Sequence, residues 1–170
     1  VLTKTKEKGP QILILVPTRE LAIQVAQEAK KFAKYLPHLK TVCVYGGVPY
    51  PPQIKSLHQP YDILIATPGR LIDHMDEGRI NLSRVKFLVL DEADRMLDMG
   101  FIAPVEKIAT ATPKDRQTLL FSATLDQKIL KISRKMQNQP FEIKIEPDHT
   151  VKANIEQRFY FADGMGHKLR

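Results

Sequence analysis

Phe87-Leu88-Val89-Leu90 runs without a break into Asp91-Glu92-Ala93-Asp94. A short, continuous apolar run of this kind has the length and composition of a buried strand, and strands buried on both faces belong to parallel sheets covered by helices. The three acids that follow within four residues stand where that strand must end. Working outward, the same grammar repeats. Ile12 to Val16 is an apolar run closed by Pro17, Val42 to Tyr45 ends at Gly46-Gly47, Ile63 to Ala66 is followed by Thr67-Pro68, and Thr118 to Phe121 runs into Ser122.

The stretches between these runs carry helical period. Leu21, Ala22, Val25, Ala26, Ala29, Phe32 and Ala33 recur on one face, with Arg19, Glu20, Gln24, Gln27, Glu28, Lys30, Lys31 and Lys34 on the other. Thr67 followed by Pro68 predicts a helix N-cap with proline at the first helical position, and Leu71, Ile72 and Met75 continue that helix to Gly78. Further helices are expected at about 101–111 and 126–138, and Val48 to Pro52, with three prolines, reads as a loop. The expected fold is α/β, an open parallel sheet with helices on both faces, joined by right-handed crossovers.

Composition bounds the function. The chain has 170 residues, 43% hydrophobic and 26% charged, which suits one globular domain with a sizeable core. No apolar run is long enough to cross a bilayer as a helix, and residues 1–9 are too polar for a secretory signal. One cysteine, Cys43, excludes an internal disulfide and a cysteine-rich zinc site, so a reducing, intracellular setting is expected, cytoplasmic with the nucleus left open. The five histidines lack metal-ligand spacing. Twenty-six Lys and Arg against nineteen Asp and Glu leave +7, a balance that suits a polyanionic partner or simply a basic surface.

Four polar segments share one address. Pro17-Thr18-Arg19-Glu20, Thr67-Pro68-Gly69-Arg70, Asp91-Glu92-Ala93-Asp94 and Ser122-Ala123-Thr124 each follow directly on an apolar strand. In an open parallel sheet the carboxyl ends of the strands form the ligand-binding edge. Strand-to-helix turns also favour Thr, Ser and Asp as caps, so one such segment alone would say little. An acid at the tip of a buried strand can hold Mg²⁺ directly or through water, its neighbour can activate a water, and both can equally serve the helix dipole.

The ordered set, with Leu21-Ala22 extending the first segment and Gly46-Gly47 added, resembles the DEAD-box RNA helicases, whose name Asp91 to Asp94 spell in one-letter code. Across nearly the whole chain, the resemblance is to the first RecA-like lobe of such a helicase. It implies ATP and Mg²⁺ as cofactors and RNA as partner. Asp91 would bind Mg²⁺ through water, Glu92 would activate the hydrolytic water, and Asp94 would bond to Ser122 and Thr124. Pro17, Thr18 and Arg19, Gly46 and Gly47, and Thr67, Pro68, Gly69 and Arg70 would grip the sugar-phosphate backbone of RNA. Glycines admit phosphate to the main chain, helix N-termini attract anions, and arginine forks onto phosphate. None of these groups suits base reading, so recognition is expected to be independent of sequence.

Two departures qualify the likeness. No glycine in the chain begins G-x-x-x-x-G-K-[ST], the loop that cradles nucleotide phosphates. The lobe is therefore expected to be incomplete at its N-terminus, with that loop upstream of Val1 and a second lobe beyond Arg170. Residues 1–145 would be the partial lobe, and 146–170 a linker with the first strand of the second lobe, where Ile155, Gln157, Phe159 and Phe161 alternate with polar neighbours. Pro104 and Lys107 stand where the family often carries a Gln-x-x-Arg pattern, so that RNA contact is not carried over. The resemblance implies a parent protein that remodels or unwinds RNA duplexes at the expense of ATP, with this stretch inactive alone. The alternatives are a non-catalytic RNA-binding module derived from such a lobe and, more remotely, an unrelated Mg²⁺-dependent α/β hydrolase.

Overall fold

A computed structural model describes residues 8–145. The chain divides after Pro140 into two units, and of the second only Phe141–Ile145 is described, without helix or strand. The expected linker and strand within 146–170 lie outside the described residues.

The first unit is a five-stranded parallel sheet in the order β2-β3-β1-β4-β5. The strands are β1 (Ile12–Leu15), β2 (Thr41–Val44), β3 (Ile63–Ala66), β4 (Phe87–Leu90) and β5 (Gln117–Leu120). Helices α1 (Arg19–Phe32), α2 (Tyr50–Leu57), α3 (Pro68–Asp76), α4 (Ala93–Asp98), α5 (Ile102–Thr110) and α6 (Gln127–Met136) occupy the connections, with a short 3-10 turn at Ala33–Tyr35. The register sets the carboxyl ends level: Leu15 faces Ala66 on one side and Leu90 on the other, and Val44 faces Ala66.

Strand order reverses around β1. The chain builds β2 and β3 to one side of it and β4 and β5 to the other. Such a reversal opens a crevice beyond the carboxyl ends, where open α/β sheets take their ligands.

Helices cover both faces, unequally. On one face Leu13, Leu15, Val42, Val44, Leu64, Ala66, Leu88 and Leu90 pack against buried residues of five helices, among them Leu57, Leu71, Met96, Ile108 and Ile129. On the other, Ile12, Ile14, Ile63 and Ile65 meet α1 through Ala22, Val25 and Ala26. Consequently β3 is buried along its whole length, whereas β1 and β4 alternate buried with half-buried positions. Each fully buried Leu or Ile contributes about 1.5–3 kcal/mol, so the sealed face dominates the core.

Of the expected loop at Val48 to Pro52, Val48 and Pro49 precede the helix and Tyr50 opens α2, with Pro51 and Pro52 in its first turn. The physical reason is simple: first-turn amides have no partner within the helix, so a residue without an N–H loses nothing there, and its fixed φ favours helix. Helix α4, which the periodicity left unassigned, follows the acidic turn directly.

Candidate nucleic-acid and nucleotide interface

The β1–β4 pairing continues past the strands. Asp91 donates its amide to the Leu15 carbonyl at 3.0 Å, which brings the acidic turn beside Val16 and Pro17 at the point of reversal. On the far side of β4, Phe121 donates to Leu90 at 2.8 Å and Ala93 donates to Phe121 at 3.0 Å, so the turn is laced to the end of β5. Between these anchors Glu92 has φ 50° and ψ 51°, in the left-handed region. A residue with a Cβ adopts that conformation only where its surroundings enforce it, and such residues cluster at functional sites.

The three acids have different partners. Asp91 accepts from the Glu92 amide at 3.0 Å. Glu92, partly exposed, lies 3.3 Å from Arg95 Nη1. Asp94 accepts from the Arg95 amide at 3.0 Å and from Thr124 Oγ1 at 3.4 Å. The expected bond from Ser122 to Asp94 is not made. The Ser122 hydroxyl is buried and has no partner.

The described residues hold no group of three His, Cys, Asp or Glu side chains placed to coordinate a metal. A cage made wholly of protein ligands is therefore not offered. Mg²⁺ keeps most of its waters and takes one or two carboxylates plus substrate phosphates, and Asp91 at the strand tip, with the orphaned Ser122 hydroxyl across the β4–β5 join, fits that outer-sphere manner.

The second half of the rim lies over β1, β2 and β3. Thr18 caps α1 by accepting from the Leu21 amide at 3.3 Å, with Glu20 in the first turn and Lys30 and Lys31 in the last, all favourable to the dipole. Arg19 is exposed, and its guanidinium lies 5.5 Å from the centre of the Tyr45 ring. A Cβ added at Gly47 (φ +75°) would come within 3.9 Å of Arg19 Nη1, so the first segment and the paired glycines are neighbours.

Thr67 precedes α3 as expected but caps none of its amides. Its hydroxyl accepts from the Gly46 amide at 3.4 Å instead, and the Thr67 amide donates to the Val44 carbonyl at 3.1 Å. The first turn of α3 thus keeps donors without an intrahelical partner, beside Gly69, whose missing Cβ would meet nothing within 4 Å. Pro68 is buried and opens the helix.

Arg70 differs from Arg19. Its side chain is only 8% exposed: Nη1 donates to the Val48 carbonyl at 3.0 Å, Nε lies 3.7 Å from Asp73, and the guanidinium sits 4.0 Å over the Tyr50 ring.

Two residues outside the predicted set shape this loop. Gln53, buried in α2, accepts from the Tyr45 amide at 3.3 Å and donates to the Tyr45 carbonyl at 3.1 Å, extending β2 by one side-chain rung. Tyr50 donates to Asp73 at 2.8 Å. Reading 48–52 as a loop hid both, since only a helix there turns them back onto the strand end and α3.

The structure thus brings Pro17, Thr18, Arg19, Gly46, Gly47, Thr67, Pro68, Gly69 and Arg70 to one stretch of the rim, and Asp91, Glu92, Asp94, Ser122 and Thr124 to the adjoining stretch. Residues 1–132 match the family described as DEAD/DEAH box helicase. The chain is 47% identical over 157 residues to the ATP-dependent RNA helicase DeaD of Buchnera aphidicola, covering 92% of this chain and 26% of that protein. It is 51% identical over 146 residues to the DEAD-box ATP-dependent RNA helicase 20 of Arabidopsis thaliana, covering 86% and 29%. Among solved structures, the yeast DEAD-box splicing factor Prp28 superposes with a TM-score of 0.75 at 39% identity, over 78% of this chain and 32% of that one. The chain spans about a quarter of the length of these curated relatives.

Proposed function

The chain belongs to the DEAD/DEAH box helicase family, and from that premise we propose that it forms much of the first RecA-like lobe of an ATP-dependent RNA helicase. The parent protein would separate or remodel short RNA duplexes by gripping one strand along its backbone. The observation that carries this reading is the continuity of the two half-rims. An acidic turn and a row of glycines, uncapped amides and one exposed arginine share the carboxyl edge of a single sheet.

Bound Mg-ATP would supply a polarised terminal phosphate and a metal ion that offsets its charge. Asp91 is the residue suited to hold that ion, through water. Glu92, left-handed and partly exposed, would take a proton from the attacking water once Arg95 yields. Asp94 ties the turn to Thr124. Because that link spans the acidic turn and the segment after β5, it is suited to pass the state of the nucleotide to a second lobe, which ATP would draw closed over RNA and hydrolysis would release.

The RNA half works through position more than charge. Main-chain amides at Gly46, Gly47 and the first turn of α3 would meet successive phosphates, with Arg19 as the free cation and Pro17, Thr18, Thr67 and Pro68 fixing the turns. Such contacts carry no base information. A cytoplasmic setting is proposed from the single cysteine; among the described residues no helix is long and apolar enough to cross a membrane.

Residues 1–170 contain no phosphate-cradling G-x-x-x-x-G-K-[ST] loop, so the stretch alone is proposed to hydrolyse ATP negligibly and to bind RNA weakly. With about three phosphates contacted, the log–log salt slope would be near −2 for a single strand. The alternative of a non-catalytic RNA clamp is disfavoured by the strained acidic turn, which a clamp has no use for. The test is RNA-stimulated ATP hydrolysis by the parent protein with and without Glu92→Gln. Unchanged turnover would remove the role given to Glu92, and brisk hydrolysis by residues 1–170 would refute the dependence on a phosphate loop.

A further inference from the structure

Tyr50, which lies in none of the helicase motifs, sits at the centre of a side-chain knot. Its ring carries the Arg70 guanidinium at 4.0 Å and meets the His74 ring edge-on at 5.6 Å, with 74° between the planes. Its hydroxyl donates to Asp73 at 2.8 Å. Arg70 closes the knot by donating to the Val48 carbonyl, two residues before Tyr50. His74 beneath it is fully buried. The knot joins the segment that follows Gly46-Gly47 to the first two turns of α3.

Those are the two elements whose amides would have to lie one phosphate apart. The glycine loop has freedom of its own, with Gly47 at φ +75°, and the first turn of α3 lacks a side-chain cap. Apart from the knot, a long bond from the Gly46 amide to Thr67 at 3.4 Å ties them. A tie of that length does not fix a spacing, whereas an arginine stacked on Tyr50 and hydrogen-bonded to the Val48 carbonyl does.

We propose that Tyr50 and Arg70 form a clip that sets the distance between the glycine loop and the first turn of α3. Arg70 is then a positioning residue whose charge is spent inside the fold, and Tyr50 is a second positioning residue for the same RNA strand. The proposal rests on the RNA reading of this rim. It also makes the two arginines of the rim unlike: Arg19 meets phosphate, Arg70 arranges the amides that do.

The test measures RNA affinity of the parent protein against salt concentration for Arg70→Lys, Arg70→Met, Tyr50→Phe and Tyr50→Leu. A clip predicts that Arg70→Lys, Arg70→Met and Tyr50→Leu each weaken binding about tenfold, as misplaced groups do, with the log–log salt slope unchanged. Tyr50→Phe, which keeps the stacked ring, should stay within about threefold. The pair Tyr50→Leu with Arg70→Met should be no worse than either alone, because both break one unit. A direct phosphate contact predicts the reverse: Arg70→Lys close to the unaltered protein, and Arg70→Met lowering the slope by about 0.7, the loss of one phosphate on a single strand. That result overturns the clip and leaves the RNA reading standing. Failure of the unaltered parent to bind RNA at all overturns both. Melting temperatures of every variant accompany the measurement, and Arg70→Lys, the mildest change, decides between charge and geometry should Tyr50→Leu fail to fold.

Discussion

Thr124 reaches back across thirty residues of sequence to place its hydroxyl 3.4 Å from Asp94 Oδ2. The contact is long and exposed, so its share of stability is well under about 1 kcal/mol. Its value lies in what it connects, the acidic turn after β4 and the segment after β5. Thr124→Val in the parent protein should therefore leave the melting temperature within about 2 °C while lowering ATP-driven strand separation at least about tenfold. A duplex-unwinding assay beside a thermal melt checks it. Unwinding at the unaltered rate would mean that the link transmits nothing.

The left-handed backbone at Glu92 makes an opposite forecast for stability and for chemistry. Glycine adopts φ 50° without the clash of a Cβ, and the exposed ion pair with Arg95 contributes little. Glu92→Gly should stabilise residues 1–170 by about 1 kcal/mol, seen as a higher urea midpoint. In the parent, the same change should cost at least about a hundredfold in ATP turnover, the usual worth of a positioned base. A destabilised variant would show that the surroundings, rather than the function, require the side chain.

How far the sequence reached depends on the kind of signal. Strands β3 and β4 are legible to the residue because Ile63 to Ala66 and Phe87 to Leu90 are unbroken apolar runs bounded by polar turns. The address of the rim is legible for the same reason, since Thr67 and Asp91 follow the last apolar residue directly. Local pattern fails where packing decides. Three prolines within Val48 to Pro52 conceal the start of a helix, and with it the turn that brings Tyr50 and Gln53 onto the rim. The partners of each polar group are equally invisible, so Arg19 and Arg70 read alike although one is exposed and the other enclosed.

His74 carries a pH dependence. Its ring is fully buried, and neither nitrogen has a partner. Burial, reinforced by the nearby Arg79 and Arg70 and opposed by Asp73, holds its pKa below the usual 6.5. The unfolded chain therefore binds a proton that the folded chain refuses, so stability is intact above about pH 6.5 and falls as the pH drops toward the lowered value. The slope can reach at most about 1.4 kcal/mol per pH unit, the limit for one proton. His74→Phe, which keeps a ring against Tyr50, should flatten this part of the profile. Urea midpoints between pH 5 and 7.5 for both proteins test it, and equal slopes would assign the effect elsewhere.

The glycines of the rim separate folding from binding. A Cβ at Gly69 would meet nothing within 4 Å, and the residue lies in the first turn of α3 with an ordinary φ. Alanine there loses less entropy on folding, so Gly69→Ala should raise the stability of residues 1–170 by up to about 1 kcal/mol. Gly46→Ala, equally free of neighbours, should be close to neutral. Gly47→Ala should cost about 1 kcal/mol or more, because φ +75° strains any side chain. Nothing within the fold, then, demands glycine at 46 or 69. If a phosphate must approach the main chain at those two positions, both substitutions weaken RNA binding by the parent at least about fivefold, against unchanged or improved folding. Binding that survives them would mean that the strand passes elsewhere, and the space left open at this edge would have no ligand to explain it.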